Sequence, residues 1–254
     1  MSPFFLLDYN AKIEFSARNE PRGVGVHPHR GFETVSIAYH GAVAHHDSAG
    51  NSGIIYPGDV QWMTAARGIL HKEYHEEAFS KKGGTFQMVQ LWVNLPAKEK
   101  MSTPKYQAIK HDEIATVVLG NEAGKIEIIA GNFNGTKGSA TTFTPIELYN
   151  AHLTKGGKST VNFPAHYNTA FVIIEGEIKI NNQSIAKKDQ MVYFKNEGES
   201  IEIEAFENSV VLMLSGEPIH EPIAQYGPFL MNTQEEINQA ITDYNEGRFG
   251  YLED

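Results

Sequence analysis

The sequence predicts an all-β protein: two antiparallel β-barrels of related build, followed by one C-terminal helix. Three observations lead there. From Val24 to Gly120, short alternating or β-branched runs follow one another, separated by Gly, Pro and Asp/Asn turns. After Lys125 a second series repeats that rhythm. Helix start and stop signals mark one segment, the one that follows Thr233.

Taken in order, residues 4–7 and 12–15 read as short edge strands, and Asn19-Glu20-Pro21-Arg22-Gly23 is a turn cluster. Thr34–Tyr39 alternates and stops at Gly41; Ala42–Asp47 is the next strand, with a hairpin turn at Ser48-Ala49-Gly50-Asn51. Gly53–Tyr56 returns, and Pro57-Gly58-Asp59 turns again. Phe86–Leu95 is apolar on both faces and reads as a strand buried on both sides. Residues 96–114 are polar and read as the connection between the halves, which places the domains at 1–115 and 116–254. Pro164–Gly176 echoes Val26–Gly41 as a turn, an H-x-polar pair, an apolar strand and a glycine turn. Strands follow at 177–180, 191–194, 201–204 and 209–214. Thr233-Gln234-Glu235-Glu236 is a capping box. Ile237, Ile241 and Tyr244 share one helical face, and Gly247 suits a left-handed terminator, which gives a helix over about 234–246.

The bulk properties set limits. A chain of 254 residues can bury a core without disulfide staples, and the lack of cysteine excludes thiolate zinc, iron–sulfur clusters and a Cys nucleophile. A formal charge of -10 argues against direct nucleic-acid binding, which needs clustered positive charge. No apolar run approaches a membrane span and the N-terminus lacks a secretory pattern, so a soluble, cytoplasmic protein is expected.

The chemistry lies between Gly23 and Glu73. Residues i and i+2 of a strand share a face, so His27 and His29 can point into a barrel together, and His71 and Glu73 can do so from another strand. Three imidazoles and a carboxylate suit Fe, Mn, Cu, Ni or Zn better than Ca or Mg. An octahedral ion so held keeps open positions, as a catalytic site requires. The general cupin pattern, H-x-H, then Glu, then a later His, is also met by His27, His29, Glu33 and His71, so Glu33 competes with Glu73 for the carboxylate position.

Longer motifs carry a resemblance. His27-Pro28-His29-Arg30-Gly31-Phe32-Glu33-Thr34, Pro57–Ala65, Arg67–His71, Gln90–Leu95 and the run from Gly216 to Thr233 closely resemble the pirin family over nearly the whole chain. The resemblance implies a bicupin, two antiparallel barrels (double-stranded β-helices) face to face, with metal only in the N-terminal one. It implies His27, His29, His71 and Glu73 as ligands of one divalent metal, Fe(II) before Mn, Cu, Ni or Zn, and leaves Glu33 a supporting role. It also implies a quercetin 2,3-dioxygenase-like oxidoreductase acting on a small aromatic substrate with O2, with Glu73 as catalytic base. The alternative it carries is a redox- or metal-sensing regulator that binds a protein partner; a metal that only stabilises the fold is a third reading. A monomer is expected. Phe32, Met63, His75 and Trp92 are candidate pocket residues. Against the family pattern the N-terminus is short, Ala66 replaces an expected Gly, and Tyr74-His75 replaces Met-Pro; His75, at i+4 from His71, shares its face if the strand continues, and the preferred reading is that the chain turns away and leaves it a rim residue near substrate. His40, His45 and His46 read as surface histidines, and His166 with Asn168 as turn residues of a second barrel without metal.

Overall fold

The structure is a computed structural model and describes residues 1–253. The chain forms two compact units: Phe4–His111 with Ile219–Asp254, and Met1–Pro3 with Asp112–Pro218. The first break falls between His111 and Asp112. The C-terminal helix, however, belongs with the N-terminal unit, not with the second half as chain order suggested.

The N-terminal unit pairs two antiparallel sheets. Its strands are β1 (Phe4–Phe15), β2 (Gly23–His29), β3 (Phe32–His40), β4 (Val43–Asp47), β5 (Ser52–Ile55), β6 (Val60–Thr64), β7 (Ile69–His75), β8 (Gly84–Asn94) and β9 (Lys105–Ile109). One sheet has the order β1-β8-β3-β6-β9 and the other β2-β7-β4-β5. A short helix, α1 (Glu77–Lys82), connects β7 to β8. The two edge strands expected near the N-terminus are one long strand, β1, which absorbs its irregular pattern in register shifts at Phe4/Leu6 and Asn10/Ile13. The polar segment after Pro96 is more than a connection: it contains β9, the edge strand paired with β6.

Strand β8 alternates in a telling way. Val89, Leu91 and Val93 are fully buried, whereas Met88, Gln90 and Trp92 on the opposite face are only half-buried. Gln90 and Trp92 face the space between the two sheets, where the candidate site lies, so that space is lined with polar and aromatic groups rather than filled with aliphatic ones.

The C-terminal unit repeats the architecture with a six-stranded sheet from Ala115–Leu119 to Met191–Tyr193 and a four-stranded sheet of Lys158–Asn162, Ser200–Ala205, Glu177–Ile180 and Ser184–Lys187. Its interior is an apolar core that includes Ile126, Tyr149, Phe163, Phe171, Ile178 and Met213. His166 is exposed in a turn, and the Asn168 amide donates to the Ser2 carbonyl at 2.5 Å.

The segment after Pro218 is tied to the N-terminal sheets. A hairpin of Ala224–Tyr226 and Phe229–Met231 leads to α2, Gln234–Asn245. Helix α2 starts on the expected capping box, with the Thr233 hydroxyl accepting from Glu236 N and Glu236 reaching back, and Gly247 follows its end at φ +74°. Lys100, read from sequence as part of a polar connection, is buried: its ammonium donates to the carbonyls of Gly31 and Leu230 and to Asn94 Oδ1, at 2.6–2.7 Å. Burial lowers its pKa to about 8. Gly31 is required at this joint because a Cβ there would lie 2.0 Å from the Leu230 carbonyl oxygen, at φ +90°. Its amide donates to the carbonyl of Ala66 at 2.8 Å, and Ala66 holds φ +43°, a conformation that favours the glycine expected there. Among the described residues, no helix is long and apolar enough to cross a membrane.

Candidate metal centre

Strands β2 and β7 pair antiparallel with His27 directly opposite His71. A register shift between Val24 and His27 sets the end of β2, and alternation turns His27 and His29 to one face. The three imidazoles converge: ring centroids are 4.2 Å apart for His27–His71, 4.6 Å for His29–His71 and 4.8 Å for His27–His29. One ligand nitrogen from each lies within 4.8 Å of the others.

The protonation chemistry suits a cation. Burial, reinforced by the neighbouring His27, lowers the His29 pKa to about 3 against an opposing hydrogen bond that the ring donates to the Pro228 carbonyl. Burial and the other histidines hold His71 well below the ordinary range. Both rings are therefore neutral at pH 7 and offer lone pairs. His29 Nδ1 and His71 Nε2 are buried with no hydrogen-bond partner, a costly arrangement that a bound metal ion would relieve. The residues present fit the ion that the resemblance implies.

Glu73 lies two residues beyond His71 on the same face. One of its oxygens is within 4.8 Å of ligand nitrogens of His71 and His45, in a group separate from the three-histidine one. Its carboxylate accepts from Gln90 Nε2 at 2.6 Å, Gln61 Nε2 at 3.0 Å and Ser36 Oγ at 3.4 Å. Gln61 is oriented in turn by Tyr106, whose hydroxyl donates to its carbonyl oxygen at 3.2 Å. Burial, with Asp47 and Glu73 nearby, pushes the Tyr106 hydroxyl up to about 12, so it remains a donor. Gly53 makes room for that hydroxyl, since a Cβ there would stand 2.4 Å from it.

Glu33 is outside the histidine cluster. It accepts from Thr64 Oγ1 at 2.7 Å across the β3–β6 pair, and burial raises its carboxyl to about 7. This has a sign. Folded Glu33 keeps its proton to about pH 7, whereas the unfolded chain loses it near 4.5, so its contribution to stability is full below pH 4.5 and is lost as pH rises to 7. Glu33→Gln, which keeps an acceptor for Thr64, is expected to remove this slope, a difference on the order of 3 kcal/mol across the window. Denaturation midpoints of the two proteins at pH 4.5 and 7.5 provide the check, and parallel pH profiles would refute it.

The expected pocket residues divide. Trp92 is half-buried beside His29, ring centroids 5.2 Å apart, and Phe32 stacks on Trp92 at 4.2 Å while lying 4.9 Å from His29. Met63 is fully buried against Ala65, Ile69 and Tyr106. His75 is not on a rim. Strand β7 continues through it, and the ring is buried among Phe15, Phe79 and Phe86 at 4.9, 5.2 and 4.5 Å. His45, read as a surface residue, has no exposed area: its Nδ1 is 3.5 Å from His71 Nδ1 and its Nε2 is 3.4 Å from Asp47 Oδ2. The signal that could have found it is the alternation of β4, which turns one of the adjacent His45 and His46 inward. His46 is half-buried and bonds the Tyr74 hydroxyl at 2.9 Å.

Paired antiparallel sheets around a histidine cluster define a cupin-type protein with a candidate metal centre in its N-terminal unit. Comparison with known proteins narrows the class. Residues 1–93 match the pirin family and residues 148–250 the pirin C-terminal cupin domain. A Pseudomonas aeruginosa protein named "Putative quercetin 2,3-dioxygenase" is 46% identical over 249 residues, covering 98% of this chain and 87% of that one. Human pirin is 37% identical over 256 residues, covering 99% and 84%. The crystal structure of an Acinetobacter baumannii quercetin 2,3-dioxygenase has a TM-score of 0.94 and 46% identity, covering 99% and 88%. The chain belongs to the pirin family.

Proposed function

We propose that this chain is a metal-dependent dioxygenase of the quercetin 2,3-dioxygenase type, with Fe(II) as the working metal. The ligands in this reading are His27, His29, His71 and Glu73, and the substrate is a small flavonol-like aromatic. The observation that carries the reading is the pair of buried, unpartnered imidazole nitrogens on His29 and His71, with a carboxylate on the same strand face as His71. The names of the Pseudomonas and Acinetobacter proteins support the substrate class.

A metal held by these residues would supply Lewis acidity toward a substrate hydroxyl and redox chemistry toward O2. The chain's own residues do the rest. The imidazoles of His27, His29 and His71 would hold the ion, and the buried His29 Nδ1 and His71 Nε2 have no hydrogen-bond partner competing for them. Glu73 takes the hydroxyl proton of the substrate as general base. Its carboxylate stays fixed during that transfer because Gln61, Gln90 and Ser36 hold it from three directions. The half-buried face of Trp92, backed by Phe32, offers an aromatic wall against which a flat ring can stack. The overall reaction adds O2 across the ring and releases carbon monoxide.

The test is anaerobic loading with Fe(II), addition of quercetin and O2, and measurement of flavonol absorbance. Turnover is expected in the wild type, with a loss of about 10²–10⁴-fold in Glu73→Gln. Full iron retention without turnover would reject the enzyme reading and favour a metal-sensing regulator that acts on a protein partner.

A further inference from the structure

Behind His71 lies a line of groups that the reaction does not use directly. Strand β4 pairs with β7 so that Asp47 is opposite His71 and His45 opposite Glu73. His45 is fully buried, and its ring stacks on Tyr106 with centroids 5.2 Å apart and planes 18° apart. Asp47 is buried as well. Its Oδ1 accepts from the amides of Ala49 and Asn51, both at 2.9 Å, and from Asn51 Nδ2 at 3.1 Å. Its Oδ2 accepts from Asn51 Nδ2 at 3.0 Å and faces His45 Nε2 at 3.4 Å.

These contacts have a direction. An ionised carboxylate only accepts, so His45 must carry its proton on Nε2 to meet Asp47. If that is the one proton on the ring, His45 Nδ1 is a lone pair. That lone pair faces His71 Nδ1, which must donate, so His71 carries its proton on Nδ1 and its buried Nε2 is left bare. We propose that Asp47 and His45 are positioning residues that fix the tautomer of His71 and keep its Nε2 free for a metal. The proposal rests on the reading of His71 as a ligand. Partners of this kind set ring orientation and ligand basicity, and their loss costs metal affinity.

The informative variant is Asp47→Asn. Its side-chain oxygen can keep the three donors that Oδ1 now accepts, which places the amide NH₂ against His45 and gives up only the Asn51 Nδ2 contact to Oδ2. His45 then has to accept at Nε2 and donate from Nδ1, which forces the proton of His71 onto Nε2. Both tautomers invert while the turn remains. Nitrogen-15 histidine spectra of the metal-free protein read each ring directly. In the wild type we expect His45 protonated at Nε2 alone and His71 at Nδ1 alone, with the reverse in Asp47→Asn. Zn(II), a redox-silent probe, should bind the wild type one ion per chain and bind Asp47→Asn about 10–100-fold more weakly. His45→Gln, whose side-chain oxygen can accept from His71 Nδ1, should keep most of the affinity, and it remains informative if Asp47→Asn fails to fold. The proposal is overturned by a proton on His45 Nδ1 or His71 Nε2 in the metal-free wild type, by undiminished affinity in Asp47→Asn, or by a second ion bound between His45 and His71. A wild type with these tautomers that binds no Zn(II) rejects the metal reading instead, so the two failures are distinguishable.

Discussion

Replacing His71 with alanine is expected to abolish metal retention. His71 is the one residue common to both groups of potential ligands, His27–His29–His71 and His45–His71–Glu73. Its ring stands 4.2 Å from His27 and 4.6 Å from His29, so its loss leaves two imidazoles on a single strand and a carboxylate without its neighbour. The fall in affinity should exceed the roughly 10–100-fold that an outer partner is worth. Metal content after dialysis is the direct measurement. Thermal stabilisation by added Zn(II) is a second one: at 100 times Kd a wild-type site gains about 2.7 kcal/mol by linkage, and the variant should gain almost nothing. A His71→Ala protein that retains one equivalent of metal would place the centre elsewhere.

Removal of Arg30 is expected to produce the largest loss of stability. Its guanidinium is buried beside Asp243 of α2 at 2.8 Å, donates through Nε to the Arg67 carbonyl at 2.6 Å, and lies 4.7 Å from the centre of the Phe249 ring. Burial alone would raise the Asp243 carboxyl, but hydrogen bonds from Gln239 and Arg30 and the charges of Arg30 and Arg248 pull it below the usual range. In Arg30→Ala the carboxylate loses its buried cationic partner and keeps Gln239 and the more exposed Arg248, a loss expected to cost about 3 kcal/mol. The effect should reach the metal centre. The Arg30 backbone pairs with Pro228 and Leu230, and the Pro228 carbonyl holds the His29 ring. Urea midpoints and limited proteolysis of the C-terminal segment are the measurements. A change below about 1 kcal/mol would show that the helix docks without this pair.

Much of the centre is legible in the sequence because strand alternation is a one-dimensional rule. H-x-H and H-x-E each place two side chains on one face whatever the rest of the fold does. The same rule gives the apolar strands of the second unit, and the capping box gives the start of α2 to the residue. Sequence could not show which strands face one another. His45 sits in a run that reads as surface, and only the β4–β7 register sets it opposite Glu73. Lys100 lies in a polar run, and only the approach of Gly31 and Leu230 surrounds its ammonium with acceptors. His75 keeps the strand alternation, yet its depth depends on Phe15, Phe79 and Phe86 arriving from β1, α1 and β8.

By itself, then, the sequence determined the all-β architecture, the repeat, the histidine pairs and the family, because each is written in local spacing. Tertiary structure decided which groups support the histidines and where the C-terminal segment docks. Hydrogen-bond partners and burial are properties of chain segments far apart in sequence, and their identity follows from register and packing rather than from any local pattern.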